Sequence, residues 1–528
     1  MHFYLHTPVM NQVSPYGISL VGPTLPQDVV LSMTETVGIP WMHVREAGAI
    51  ATDVALILPG AGISREAVQS AATKGAVIIT FDESHLPANA QTIKFPYGVT
   101  GGEEQCAFKS AVCGEGWVIV LDNTLERMLD ADGAWHAIGY NGEPAALVPC
   151  TRLFKGNMQR YWMDVMRYAF GLKHLPLIFR WFYPEGARSH FTVRIDADWY
   201  DETQWNATCD FLAPLKGKAS WFLTCMDLAK DGEQKVKRLK DEGYEVGSHG
   251  FIHYTFKDAP NNAVNIRIAH EMLTKTGINV TSFVSPSAKW SRGLQNVIEK
   301  AGYPYSSEFG FAHDAYPLRP LGMRGLSSSL QVPIHPVSPG NFAKYTKATR
   351  EEIVRYFRRT MHHLYNACLP MHMYGHPADL PLLAGNGMLE ELLALPHTSV
   401  STLAQYATWW QKRTVPFALS YVRANGSVQV KAHQSEFPLC VSWEPLKFYV
   451  SPHTSAELTL TRDHVPGAAL FEASYADAPV FRQIERALNL RSKVGEWFDY
   501  EGLMPGKHFV VSSPRTALNA LVKRMRGL

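Results

Sequence analysis

At 528 residues the chain is too long for one hydrophobic core and should divide into roughly two to four domains. Hydrophobic residues at 46% and charged residues at 19% exclude a disordered or fibrous protein, and a formal net charge of +2 excludes a general attraction to nucleic acid. Seven cysteines, at 106, 113, 150, 209, 225, 368 and 440, are odd in number and form no C-x-x-C pair, which argues against a disulfide framework or a cysteine zinc site.

The opening Met1-His-Phe-Tyr-Leu-His-Thr-Pro8 has no basic stretch followed by an apolar one, and no uncharged apolar run approaches the ~20 residues of a membrane span. A cytoplasmic location without a transmembrane segment is expected. Residues 1–175 read as an α/β Rossmann-like domain. Asp53 to Leu58 is a short apolar strand, Ser64 an N-cap for a helix through Lys74, Gly75 the helix end, and Ala76 to Thr80 a second strand. Such a βαβ unit implies a parallel sheet, to which Trp117 to Leu121 adds a strand, and Met158 to Phe170 carries apolar residues at helical spacing. Pro59-Gly-Ala-Gly62 lacks the third glycine of a dinucleotide fingerprint and the lysine of a phosphate loop. The unit loosely resembles a class I glutamine-amidotransferase-like domain, but Phe81-Asp-Glu-Ser-His85 after the second strand offers no cysteine nucleophile. A noncatalytic scaffold or substrate-recognition role is expected for it.

Pro176 to His190 reads as a joining segment, and a second α/β domain over 190–413 follows. Phe191-Thr-Val-Arg-Ile-Asp-Ala-Asp198 reads as a strand on which Asp196 and Asp198 share a face near the end. Ser220 to Thr224 is a strand, Gly232 to Glu242 a charged helix, and Tyr244 to Gly247 a strand that delivers His249. His253 lies four residues on, so both imidazoles fall on one side of a helical turn or tight loop. Two imidazoles and one carboxylate form the ligand set of a catalytic divalent metal site, and the second carboxylate is left to act as base. Further helices are read from Asn265 to Lys275 and Gly293 to Lys300, with a strand from Thr281 to Pro286.

Arg194-Ile-Asp-Ala-Asp198, Lys218-Ala-Ser-Trp-Phe-Leu223 and Asp241-Glu-Gly-Tyr-Glu-Val-Gly-Ser-His-Gly-Phe-Ile-His253 together resemble the polysaccharide deacetylase (NodB-homology, carbohydrate esterase family 4-like) superfamily in a D-x-D variant. The resemblance implies a (β/α) barrel, with Asp198, His249 and His253 holding a divalent metal ion, zinc being the expected one, and Asp196 as catalytic base. In the family's third motif Val284 stands where an arginine usually orients the base, so Lys289, Arg292 or Arg194 must take its place. Leu330 to His335 is similar to a late barrel strand, and Cys368 to Pro377 to the strand that ends in a general-acid histidine. His376, nearer the strand end, is assigned that role, and His372, Trp290, Lys289 and Arg292 are read as substrate-binding, Trp290 by stacking on a sugar face.

Residues 414–528 read as a small β-rich domain. Ala418 to Ala432 alternates around Asn425-Gly426, a hairpin signal, and Arg515 to Arg526 is a basic amphipathic helix that packs on its own domain or touches a membrane surface. The function expected is metal-dependent removal of an N-acetyl or N-formyl group from an amino sugar or glycan precursor. An allantoinase-like hydrolase of a non-carbohydrate amide and a noncatalytic glycan-binding or assembly protein are the alternatives. The oligomeric state is left open.

Overall fold

The structure is a computed structural model that describes residues 13–482, apart from 26–27, 99–104, parts of 123–134 and 141–145, 229–231, 425–426, 434–435, 452–456, 462–464 and 476–478. The N-terminal unit is built on a seven-stranded sheet. Its strands run in the order Trp41–Val44, Ile18–Val21, Val54–Ile57, Val77–Thr80, Gly116–Leu121, Gln105–Cys113 and Gln91–Gly98. The first five are parallel, as the βαβ reading requires. The last two are antiparallel, which makes the sheet mixed. Alternation fills both faces: Leu56 and Ile79 join the main core, while Ala55, Ile57 and Ile78 meet Val68 and Ala72 of helix Arg65–Thr73 on the other side. Ser64 caps that helix, accepting from the Ala67 amide at 3.3 Å.

A second sheet carries the acidic strand. Seven parallel strands lie in the order Leu330–Gln331, Tyr305–Ser306, Ser282–Phe283, Glu245–Ser248, Ser220–Leu223, Ser189–Ala197 and Met371–Gly375, and Thr398–Val400 pairs with the start of Ser189–Ala197. Where a (β/α) barrel is expected from the resemblance, the parallel strands form a half-barrel sheet. At the seam between the outermost strands the His335 amide donates to the His372 carbonyl at 2.9 Å, and the Pro333 carbonyl accepts from His372 Nδ1 at 3.0 Å. Pro333 has no amide hydrogen with which to extend the ladder.

The described strands of the β-rich C-terminal region include several that pair with strands from far upstream. Ser14–Tyr16 pairs with Ala418–Ala424, Trp135–Tyr140 with Pro479–Arg482, and Leu177–Arg180 with Leu439–Ser442. The segment read as a joiner thus contains a sheet strand. Arg413, fully buried, ties the units further by donating to the carbonyls of Thr36, Val37, Arg180 and Trp181. The expected hairpin forms between Ala418–Ala424 and Ser427–His433, while its Asn425-Gly426 turn and the helix read at 515–526 lie outside the described residues.

Beneath the half-barrel lies a group of buried histidines. His190 Nδ1 is 2.8 Å from His372 Nε2, and the His190 ring stacks on Tyr406. Burial lowers His372 to about 4, partly offset by its bond to the Pro333 carbonyl, and burial with a nearby His313 lowers His335 to about 3. Both values lie below the ordinary 6.5, so as the pH falls past 6.5 the unfolded chain takes up protons that the folded chain refuses. Stability contributed by these neutral rings is complete above that pH and is lost toward pH 4. The loss is on the order of 3 kcal/mol for His372 alone. Urea midpoints should therefore fall steeply between pH 7 and 5, and a flat profile there would contradict the account.

Candidate metal centre

Strand Ser189–Ala197 is buried at every position, with His190, Thr192, Arg194 and Asp196 alternating onto one side. Asp198 follows its end. Parallel pairing through Ser220–Leu223 brings Glu245–Ser248 to the same edge, and the His249 amide extends that ladder to the Leu223 carbonyl at 2.9 Å. His249 Nε2 and His253 Nε2 converge on Asp198 Oδ1, at 3.2 and 3.1 Å. His253 reaches this point from a tight loop and not a helical turn, beginning at Gly250 with φ of +88°. Asn265, on helix Ala259–Lys275, holds the loop: it accepts from the Ile252 amide at 2.9 Å and donates to the Tyr254 carbonyl at 3.1 Å.

The donor set fits a divalent cation for a reason visible in the hydrogen bonds. His249 Nδ1 lies 2.8 Å from the Val284 carbonyl, which can only accept, so Nδ1 carries the hydrogen. With Nδ1 so engaged, His249 as a metal ligand would turn the lone pair of Nε2 toward Asp198 Oδ1, a buried oxygen that receives no hydrogen bond. Two acceptors so placed repel unless a cation lies between them. Ligand atoms of Asp198, His249 and His253 all lie within 4.8 Å of one another, and this is the metal-competent cluster among the described residues. Burial pushes the Asp198 carboxyl up, but His253 and His376 more than offset it and hold the group well below the ordinary carboxylate range.

Asp196 is buried beside this group. Its Oδ2 accepts from Arg194 Nη2 at 2.8 Å, while Oδ1 has no hydrogen-bond partner. Arg194, wholly buried, is fixed in turn by donating to the Ser307 carbonyl at 2.6 Å and to Ser307 Oγ at 3.1 Å. Of the three cations that could replace the arginine missing at Val284, Arg194 is the one that meets Asp196. Lys289 lies 5.8 Å from the Tyr254 ring, and Arg292 is exposed at the start of helix Arg292–Lys300.

His376 completes the site. Its Nε2 is 3.8 Å from Asp198 Oδ2, and its Nδ1 is 2.9 Å from Asp379 Oδ2. Burial opposes charge on this ring, but Asp379, Asp198 and Asp196 outweigh it and raise His376 to about 10. Asp379 also accepts from the His376 and Gly340 amides, at 2.7 and 3.0 Å. Glycine is required around it, since a Cβ on Gly340 or Gly375 would fall 2.5 or 2.6 Å from an Asp379 oxygen. The sequence reading missed Asp379 and Asn265. An acid three residues after a histidine at a strand exit, and an asparagine inside a helix where it is unfavourable without a partner, were the available signals.

His372 and Trp290, both expected as substrate contacts, are packed to different extents. His372 is 1% exposed, enclosed by His190, Tyr406 and the Pro333 carbonyl, so it has no face to offer a substrate. Trp290 is half-buried, its ring 4.5 Å from that of Phe311 and its N–H donated to Gln295 Oε1 at 3.1 Å. It packs the rim.

Residues 187–306 match the family model described as polysaccharide deacetylase. No curated protein matches the chain. Among solved structures, a Mycobacterium smegmatis protein described as a polysaccharide deacetylase is 13% identical, with a TM-score of 0.39, over 45% of this chain and 95% of its own. A family 4 carbohydrate esterase from Streptomyces lividans, in complex with acetate, is 14% identical, with a TM-score of 0.29, over 40% of this chain and 92% of its own. A CE4 family pseudoenzyme from Bacillus anthracis is 13% identical, with a TM-score of 0.31, over 42% of this chain and 66% of its own.

Proposed function

We propose that this chain is a metal-dependent hydrolase that removes an acetyl or formyl group from the nitrogen of an amino sugar or glycan precursor, a reading supported by the match of residues 187–306 to the polysaccharide deacetylase family model. The observation that carries the reading is the pairing of two roles in one cluster. Asp198, His249 and His253 converge as ligands, and Asp196 keeps a free carboxylate oxygen beside them. A divalent ion held by those three residues would polarise the amide carbonyl and acidify a water molecule.

The chain's own groups move the protons. Asp196 takes one through Oδ1 as the water oxygen attacks the carbonyl carbon, while Arg194 keeps the carboxylate oriented through Oδ2. His376, charged and fixed by Asp379, gives its proton to the nitrogen as the C–N bond breaks. Free amine and acetate or formate leave. Arg194 also weakens the case for a noncatalytic protein, since the contact that Val284 cannot make is supplied from the acidic strand itself.

Acid release from a panel of N-acetylated and N-formylated amino sugars and one cyclic non-sugar amide tests the proposal. Release is expected from a sugar, is abolished by chelation and returns with added divalent ion. Release from the cyclic amide alone, or from nothing on the panel, would overturn it.

A further inference from the structure

Trp199 follows Asp198 directly and is 54% exposed. No ring stacks on it within the described residues, whereas Trp205 and Trp221 pack together at 4.4 Å and Trp290 packs on Phe311. A singly exposed apolar residue is ordinary on a protein surface, but this indole adjoins a candidate metal ligand and offers a free aromatic face there.

The loop that carries it is fixed on both sides. Tyr200 is held between the Trp205 ring, at 5.3 Å, and the Lys235 ammonium, 2.9 Å from its centroid. Asp201 caps the next helix, Glu202–Leu212, by accepting from the Gln204 amide at 2.9 Å. On that helix Thr208 donates to the Pro377 carbonyl at 3.0 Å, which ties it to the residue after His376. Trp199 thus leaves the sheet between Asp198 and a helix anchored beside His376.

We propose that Trp199 is the sugar-stacking platform of the substrate site. This rests on the deacylase reading, and the chemistry gives the side. His376 protonates the departing nitrogen, and that nitrogen is bonded to the sugar ring, so the ring lies toward the His376 loop and the acyl group toward Asp198. A pyranose presents an apolar face of C–H groups to an indole and keeps its hydroxyls in water at the edge. A platform already held in place loses little conformational freedom when the ring binds. The substrate class is therefore a glycan with a flat pyranose next to the acylated nitrogen, and small acyclic amides lack the group that Trp199 binds.

Two measurements on the full chain test this, with a β-1,4-linked N-acetylglucosamine tetramer as probe. Where the tetramer is deacylated, Trp199→Ala is expected to raise its KM about tenfold, with the loss in KM and not kcat, and Trp199→Phe to recover most of it. An unchanged KM would overturn the platform while leaving the deacylase reading intact. Should no acyl release occur, calorimetric Kd values for the tetramer decide independently of turnover. Binding about tenfold weaker in Trp199→Ala supports the platform, and equal binding, or none to the wild type, overturns it.

Discussion

Asp196→Asn is expected to lower acyl release by about 10³-fold, the range that a positioned general base supplies, while metal content and fold are kept. Asparagine matches the shape and can still accept from Arg194 Nη2, but it cannot take a proton from water. Asp196 is placed for that task by an asymmetry between its oxygens: Oδ2 is engaged by Arg194 at 2.8 Å, and Oδ1, equally buried, has no partner. A carboxylate kept only for structure would bond both oxygens, since an unmet buried acceptor costs about 1–3 kcal/mol. Comparing acetate release with metal content in the same preparation checks the result. Turnover within a few-fold of wild type would place the base elsewhere.

Asp198→Ala and His253→Ala should each reduce acyl release to background, an effect larger still, because they remove the site itself. Asp198 would be the single anionic ligand, and its Oδ1 is the oxygen that both histidines approach. Without it the cluster has two neutral nitrogens and no charge to balance a divalent ion. His253→Ala leaves His249 and Asp198 in place but opens the side held by the Asn265-braced loop. Neither change removes a packed core side chain, so near-native folding is expected and makes the loss of activity interpretable.

The site was legible in the sequence where its parts lie within a few residues of one another. The Asp196/Asp198 alternation and the four-residue step from His249 to His253 are local patterns, and the structure brings Asp198, His249 and His253 together, with His253 on a tight loop, one of the two forms that the spacing allowed. The same alternation carried a signal left unused: Arg194 shares the face of Asp196 and so had a stronger claim to pair with it than Lys289 or Arg292. Asp379 and Asn265 were less legible, because each acts through a close approach that depends on tertiary packing, Asp379 against Gly340 and Asn265 against a loop thirteen residues upstream. The fold was hardest to read where pairing is distant. Nothing in Ser14–Tyr16 announces that its partner lies near residue 420, and the alternation in Leu177–Arg180 is too short to separate a strand from a linker. At the seam of the half-barrel, by contrast, the break in the ladder is visible in the chain, because Pro333 has no amide hydrogen to donate.

Elemental mass spectrometry of the purified protein, alongside Asp198→Ala and His253→Ala, tests the metal centre without any substrate. The wild type should hold close to one equivalent of zinc or another divalent ion, and both folded variants should lose it. A wild type that takes up no metal after supplementation would contradict the hydrolase account and leave a glycan-binding protein as the better description.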